Sequence, residues 1–300
     1  MTGAAAAHPA TRSASRARSI ARPRLFGWVP MAWLALVLLF IYAPIIVVIG
    51  ASFDPGKFAA TKAFLQFPPH GFTLHWYANI QPELWRSVWT SVKLATAVAG
   101  GALLIGVPAA LGLVRGGLAG SNLLGTLFRS PLQIPFIVTG VAVLQAFNAL
   151  GALTGIRLQG SFFGLFIAHL FVATPYVIGA AGSALAHLPP RVEEAAASLG
   201  ATPWSTFRRV TLPLIAPGVL GGALFAFLVS FTDVTIALFL APQSATTFPV
   251  WVFSSMQNDV EATLPALSTL VFLISALVVT LLQRLVGIET MLRSGAGAKG

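Results

Sequence analysis

Few side chains in this sequence have the type and spacing for chemistry. There is no cysteine, so neither a disulfide framework nor a thiolate metal site can form, and the redox compartment cannot be read from cysteine usage. The histidines, His8, His70, His75, His169 and His187, show no H-E-x-x-H or other metal-ligating spacing. His169 falls within an apolar run, where the expected reading is a hydrogen-bonded helix histidine and not a ligand. The pattern G-x4-G-K-[ST] is absent, so the chain itself cannot cradle ATP phosphates in a P-loop. "GAGAKG" at 295–300 matches G-x-G-x-x-G, but no strand precedes it and no helix follows it, so it does not read as a dinucleotide site. Two features remain: the adjacent acids Glu193 and Glu194 in "EEAAASLG" at 193–200, and Asp233, a lone acid inside a long apolar run.

The elements that must position these residues follow from composition. Of 300 residues, 56% are hydrophobic and 9% charged, whereas a soluble domain carries about 25% charged residues. Crossing a hydrocarbon core of about 30 Å takes about 20 helical residues. Six apolar runs meet or approach that length, near 28–50, 91–114, 131–150, 162–186, 216–240 and 264–286. Backbone groups in lipid must be bonded internally, so these runs are helices. The expected fold is all-α, a polytopic membrane protein of about six transmembrane helices. A cleaved signal peptide is the alternative for residues 1–52, but its apolar stretch is about twice the usual 7–15 residues, so the first run is expected to stay as a helix.

The formal charge of +10 could suggest nucleic acid, yet the basic residues divide by side of the membrane. With the N-terminus inside, the inner segments hold Arg12, Arg16, Arg18, Arg22, Arg24, Arg115, Arg129, Arg191, Arg208, Arg209, Arg284, Arg293 and Lys299. The outer segments hold Lys57, Lys62, Arg86, Lys93 and Arg157. This positive-inside bias places both termini in the cytoplasm and makes nucleic-acid binding unnecessary. The expected organisation is a basic disordered cytoplasmic tail at 1–24, a transmembrane helix at 25–52, a periplasmic loop at 53–90, and a core at 91–290. That core contains a cytoplasmic loop at 187–215, and a second tail follows at 291–300. The basic tail lies against anionic lipid headgroups, and Phe72, Trp76 and Tyr77 in "GFTLHWYANI" are expected as an interfacial aromatic anchor.

Within the 187–215 loop the residues spell two short helices. Pro189 and Pro190 suit a helix start, Glu193 and Glu194 meet the positive end of the macrodipole, alanines propagate the helix, and Gly200 stops it. Thr202 then caps a second helix with Pro203 at its first position, running through "WSTFRRV" to Pro213. The small faces of Ala195, Ala196 and Ala197 would let another protein's backbone come close. An ordinary interhelical connector fits the same residues; a DNA-reading helix-turn-helix does not, because a segment clamped between membrane helices cannot easily reach a major groove.

Glu194-Ala195-Ala196, three residues, Gly200, nine residues, then Val210-Thr211-Leu212-Pro213 resembles the E-A-A-x3-G-x9-I-x-L-P signature of permease subunits of binding-protein-dependent ABC importers, with valine for isoleucine. "GFTLHWY", "GVPAALGLVRG", "PLQIPFIVTGVAVL" and "SFTDVTIALFL" extend the likeness over most of residues 25–290, toward the spermidine/putrescine group of type I importers. The resemblance implies a type I permease fold in the cell inner membrane, with Glu193, Glu194, Ala195, Ala196, Gly200, Leu212 and Pro213 forming the loop that docks on the ATPase. It also implies partners: cytoplasmic ATPase subunits that bind ATP-Mg, a second permease subunit of different sequence, and a periplasmic solute-binding protein. No cofactor is expected in this chain, which is then not an enzyme.

The implied solute is a polyamine or a similar small cation. Many members of that group carry two adjacent acids after "SF", whereas Thr232 here precedes the single acid Asp233; ferric iron, sulfate or an amino-acid derivative is the alternative within the family. A channel or secondary transporter would need more ionisable groups in the spans than Asp233 and the edge residue Lys93. An ionised carboxylate deep in a span costs at least ~2.5 kcal/mol by insertion scales, so Asp233 must face a partner or water. Two readings stay open: a structural acid accepting hydrogen bonds from Ser230, Thr232, Thr235 or the start of a neighbouring loop, or a pathway residue, with Phe231, that offers a cation its counter-charge.

Overall fold

The computed structural model describes residues 28–55, 67–242, 246–257, 263–277 and 280. Both tails, Arg284 and the 295–300 glycine motif lie outside the described residues. The chain forms two units, Met1–Ile46 and Val47–Gly300. The first contributes most of α1 (Trp28–Ala51), an uncharged helix of 24 residues whose side chains from 28 to 42 are all exposed. A helix apolar on every face suits lipid rather than water.

Three long helices make the core of the second unit: α3 (Pro82–Arg115), α6 (Phe162–His187) and α9 (Leu212–Thr232). Their contact surface is built from Leu94, Val98, Ala102, Ala173, Val177, Ala181, Val219 and Ala226. Two glycines let α6 and α9 come close. A Cβ on Gly218 would lie 2.6 Å from the Ala184 Cβ, and one on Gly222 would lie 3.0 Å from the Val177 Cα. Small residues at such a seam allow backbones to approach, which is how helices associate where no water drives them together.

Among the described residues five helices are long and apolar enough to cross a membrane, and the expected spans appear with shifted ends. α3 begins at Pro82 rather than near 91, because proline at the first helical position leaves no bond unmade and Glu83 faces the positive helix end. The third span, expected over 131–150, is α5 (Phe136–Thr154). Pro131 falls in a 3₁₀ turn (Ser130–Gln133), and Pro135 holds an extended conformation that starts α5 after it. Between α3 and α5 lies a short amphipathic helix, α4 (Ser121–Arg129). After α11 (Phe248–Gln257), the sixth run appears as α12 (Thr263–Leu277), and its remainder to 286 lies mostly outside the described residues.

Two corrections matter for function. The second loop helix does not stop at Pro213: α8 (Pro203–Thr206) passes through a π-helical turn (Phe207–Thr211) into α9, giving one run of 30 residues, Pro203–Thr232. The wider turn lets the Leu212 amide bond Phe207 O just where Pro213 would disrupt ordinary α-helical bonding. The fifth span is not continuous to 240 either. It breaks at Asp233, whose backbone is extended, and resumes as α10 (Thr235–Leu240). The apolar run conceals this break, because hydropathy is blind to a capping carboxylate.

In the described residues 52–55 and 67–78, which include α2 (His75–Ala78), the aromatic side chains bond within the loop. Trp76 Nε1 donates to Asp54 O at 2.8 Å, the Tyr77 hydroxyl lies 2.6 Å from Ser52 Oγ, and Phe72 stacks on Phe53 at 4.8 Å. The two polar ring atoms therefore fasten the loop to itself, and only Phe72 keeps a largely exposed face, at 73%.

The seam predicts a stability contrast. Gly218→Ala should cost about 1–3 kcal/mol through overpacking and lower the melting temperature of the detergent-purified protein by several degrees. Gly221→Ala, with nothing within 4 Å of its added Cβ, should not lower it, since alanine is the better helix former.

Candidate functional site

The segment joining α6 to α9 is assembled by local rules. Pro189 is extended, Pro190 opens α7 (Pro190–Ser198), and Glu193 lies in its first turn. The helix ends in a double hydrogen bond: the Gly200 amide donates to Ala197 O at 2.9 Å and the Ala201 amide to Ala196 O at 3.1 Å. That closure needs a left-handed residue, and Gly200 supplies φ +85. Thr202 then caps α8, its hydroxyl accepting from the Ser205 amide at 3.3 Å. Helix, glycine turn and capped helix start thus stand as expected from sequence.

The seven loop residues do not all lie on one face. Glu194 and Ala195 are exposed with Gly200, next to the large apolar side chains Leu199 and Trp204, 90% and 68% exposed. Leu212 and Pro213 are half-buried in the first turn of α9, continuous with the helix. Glu193 turns inward. Its Oε2 accepts from Arg115 Nε at 2.8 Å and its Oε1 from the Thr211 hydroxyl at 2.7 Å. Arg115 Nη2 also donates to Leu188 O at 2.7 Å and Leu185 O at 3.1 Å.

One guanidinium at the end of α3 therefore holds the end of α6, and through Glu193 holds the first turn of α7 and the start of α9. The ion pair is mostly shielded, its side chains 23% and 21% exposed, and is stronger than a surface pair for that reason. Nothing local in the sequence pairs Arg115 with Glu193, 78 positions apart; Arg115 reads there only as one of the inner basic residues.

A second polar group lies near the far ends of α6 and α9. His169 is fully buried, with Nδ1 2.9 Å from Ser230 Oγ, so its expected place as a bonded helix histidine holds. Asp233 is 6% exposed, and its Oδ2 accepts from the amides of Ile236 at 3.0 Å and Ala237 at 2.9 Å. Its partners are thus backbone groups of α10 rather than the side chains of Ser230, Thr232 or Thr235. Phe231 stacks on Phe227 with ring centroids 5.7 Å apart. The structure does not bring Asp233 and Phe231 together with the loop residues; they belong to the opposite end of the helix pair. Among the described residues no group of three His, Asp or Glu side chains could hold a metal.

Residues 102–288 match the family of the binding-protein-dependent transport system inner membrane component. The putrescine transport system permease protein PotI of Escherichia coli strain K12 is 34% identical over 246 residues, covering 80% of this chain and 85% of that protein. The spermidine/putrescine transport system permease protein PotC of Haemophilus influenzae is 28% identical, covering 84% of this chain and 94% of its own. A putative 2-aminoethylphosphonate transport system permease protein, PhnV, of Salmonella typhimurium is also 28% identical, covering 83% of this chain and 91% of its own. Among solved structures, a bacterial ABC transporter involved in the import of the acidic polysaccharide alginate superposes with TM-score 0.69 at 18% identity, over 87% of this chain and 96% of that one. That likeness shows the fold.

The clamp yields a local prediction. Glu193→Ala leaves Arg115 and Thr211 without their shared acceptor, so amides 191–199 should exchange with solvent about tenfold faster, equivalent to about 1.4 kcal/mol of lost local stability. Exchange in the middle of α3 should not change. Unaltered exchange across 191–199, read by mass spectrometry, would mean that the clamp does not hold the loop.

Proposed function

The chain belongs to the family of binding-protein-dependent transport system inner membrane components, transport proteins and not enzymes, and from that premise we propose that it is the permease subunit of an ATP-driven importer of a polyamine such as putrescine. It passes solute from a periplasmic binding protein to the cytoplasm. A second permease subunit of different sequence completes the pathway, and cytoplasmic ATPase subunits holding ATP-Mg drive it. The observation that carries this reading is the 190–206 segment, which offers Glu194, Leu199 and Trp204 outward while Glu193 ties it to three long helices. An exposed face with a rigid root is what a coupling loop requires: it docks on a partner and passes the partner's displacement into the membrane.

The polyamine assignment draws on the 34% identity with PotI. Asp233 supplies the chemistry. Its Oδ2 is engaged by the α10 amides, whereas Oδ1 has no hydrogen-bond partner among the described residues. In this conformation the carboxylate is buried; when the pathway opens it becomes the counter-charge for an ammonium group, with Phe231 beside it as apolar lining. The similarity to PhnV favours one competing solute class, an aminophosphonate, which also carries an ammonium group.

The experiment is ATP-dependent uptake into liposomes holding the complete importer. Labelled putrescine should accumulate, and 2-aminoethylphosphonate should not; the reverse would sink the polyamine assignment. Gly200→Val should abolish uptake with the complex still inserted, because a β-branched residue resists the left-handed conformation at φ +85. Asp233→Asn keeps an acceptor for the α10 amides and loses the charge, so uptake should fall about tenfold; unchanged uptake removes Asp233 from the pathway.

Orientation follows from the same proposal, with both termini in the cytoplasm of a cell with an inner membrane. Cysteines placed at Leu199 and Leu74, 90% and 58% exposed, should be labelled by impermeant reagents from opposite sides, the first only after cells are opened. Labelling of both in intact cells would overturn this topology.

A further inference from the structure

α6 enters the coupling segment and α9 leaves it, so any displacement of that segment travels along these two helices. Between their ends the seam is apolar, with Gly218 against Ala184, Gly222 against Val177 and Ala180, and Tyr176 stacked on Phe225 with ring centroids 6.3 Å apart. Apolar contact of this kind sets the separation of the helices but bonds no particular polar atom to another. Directional bonds that add to register lie toward the ends. At the coupling end they come from Arg115 and Glu193.

At the far end the role falls to His169. It lies about 27 Å along α6 from His187 at 1.5 Å per residue, and Ser230 lies about as far along α9 from Leu212. His169 Nδ1 meets Ser230 Oγ at 2.9 Å, and Nε2 points at Asp233 Oδ2 from 3.5 Å, beyond a good hydrogen bond. The same Oδ2 caps α10, and α10 packs on α5, where Phe239 covers Gly140. The imidazole is completely buried, yet Nε2 has no hydrogen-bond partner among the described residues. Buried polar atoms are nearly always paired, and one that is not calls for a reason. A contact that closes in another state of the transport cycle supplies it.

We infer that His169 is a positioning residue for transport: through Ser230 and the Asp233 carboxylate it keeps the helix break at 233–234 in register with α6, so that movement of the coupling segment reaches α10 instead of dissipating as sliding along the seam. The inference rests on the importer reading for its functional consequence, and on geometry alone for its structural one.

The test uses the complete importer in liposomes and two readouts, hydrogen exchange over 234–241 and solute moved per ATP hydrolysed. His169→Phe fills the same volume without polar atoms, Ser230→Ala removes the bonded hydroxyl, and His169→Asn keeps a polar atom near the position of Nδ1. His169→Phe and Ser230→Ala should assemble normally, exchange about tenfold faster at 234–241, and move about tenfold less solute per ATP. His169→Asn should recover at least half of the lost coupling. The inference is overturned if assembled His169→Phe keeps wild-type exchange and solute per ATP. It is equally overturned if Phe and Asn variants fail alike with exchange raised along all of α6 and α9, since the ring would then be filling only. Should His169→Phe fail to assemble, Ser230→Ala decides by the same criteria. If the wild-type importer takes up no solute with ATP, the importer reading falls, while the exchange result still judges His169.

Discussion

The close approach of α6 to α9 is the constraint on which the rest depends. The two helices are joined by one short segment, and they approach most closely where Gly218 and Gly222 remove the side chains that would hold them apart. Because lipid gives apolar side chains no reason to leave it, such contact must come from close packing and from interhelical hydrogen bonds such as His169–Ser230. Once the helices are that close, the connection between their ends has little freedom, and the 188–211 segment becomes a stiff appendage of the pair. The π-helical turn before Pro213 serves the same end, since it carries α8 into α9 without a hinge at the proline.

What could be read from the sequence, and what could not, divides by distance along the chain. Pro190, Gly200 and Thr202 act on their immediate neighbours, so their types and spacing already dictate the start, the left-handed stop and the cap. All three stand in the structure as read. The same locality misled at Pro213, where proline reads as a stop although a widened turn can absorb it. Asp233 was visible as an anomaly in an apolar run, but its bonding to the Ile236 and Ala237 amides was not, because a carboxylate that breaks and caps a helix leaves the hydropathy around it unchanged. The Arg115–Glu193 pair was beyond reach, since composition places both residues near the membrane surface and only the packing of α3 against α6 makes them neighbours.

The placement of the two polar groups also bears on how a displacement can cross the membrane. Electrostatic and hydrogen-bonded contacts are strongly directional and strengthen where water is excluded, so they define register; apolar contacts define separation. Here the directional contacts sit toward opposite ends of α6 and α9, with the small-residue seam between. Packed helices of this kind do not bend freely, and interfaces between them have discrete arrangements instead of a continuum. On the inference drawn above, a shift at the Arg115–Glu193 end that leaves the seam intact reaches the Ser230–Asp233 end. There it meets a helix already broken, held by one carboxylate and two amides. In that proposal the break is the element that turns axial movement of a long helix into reorientation of a short one, because the Asp233 carboxylate and the Ile236 and Ala237 amides tie the two across it.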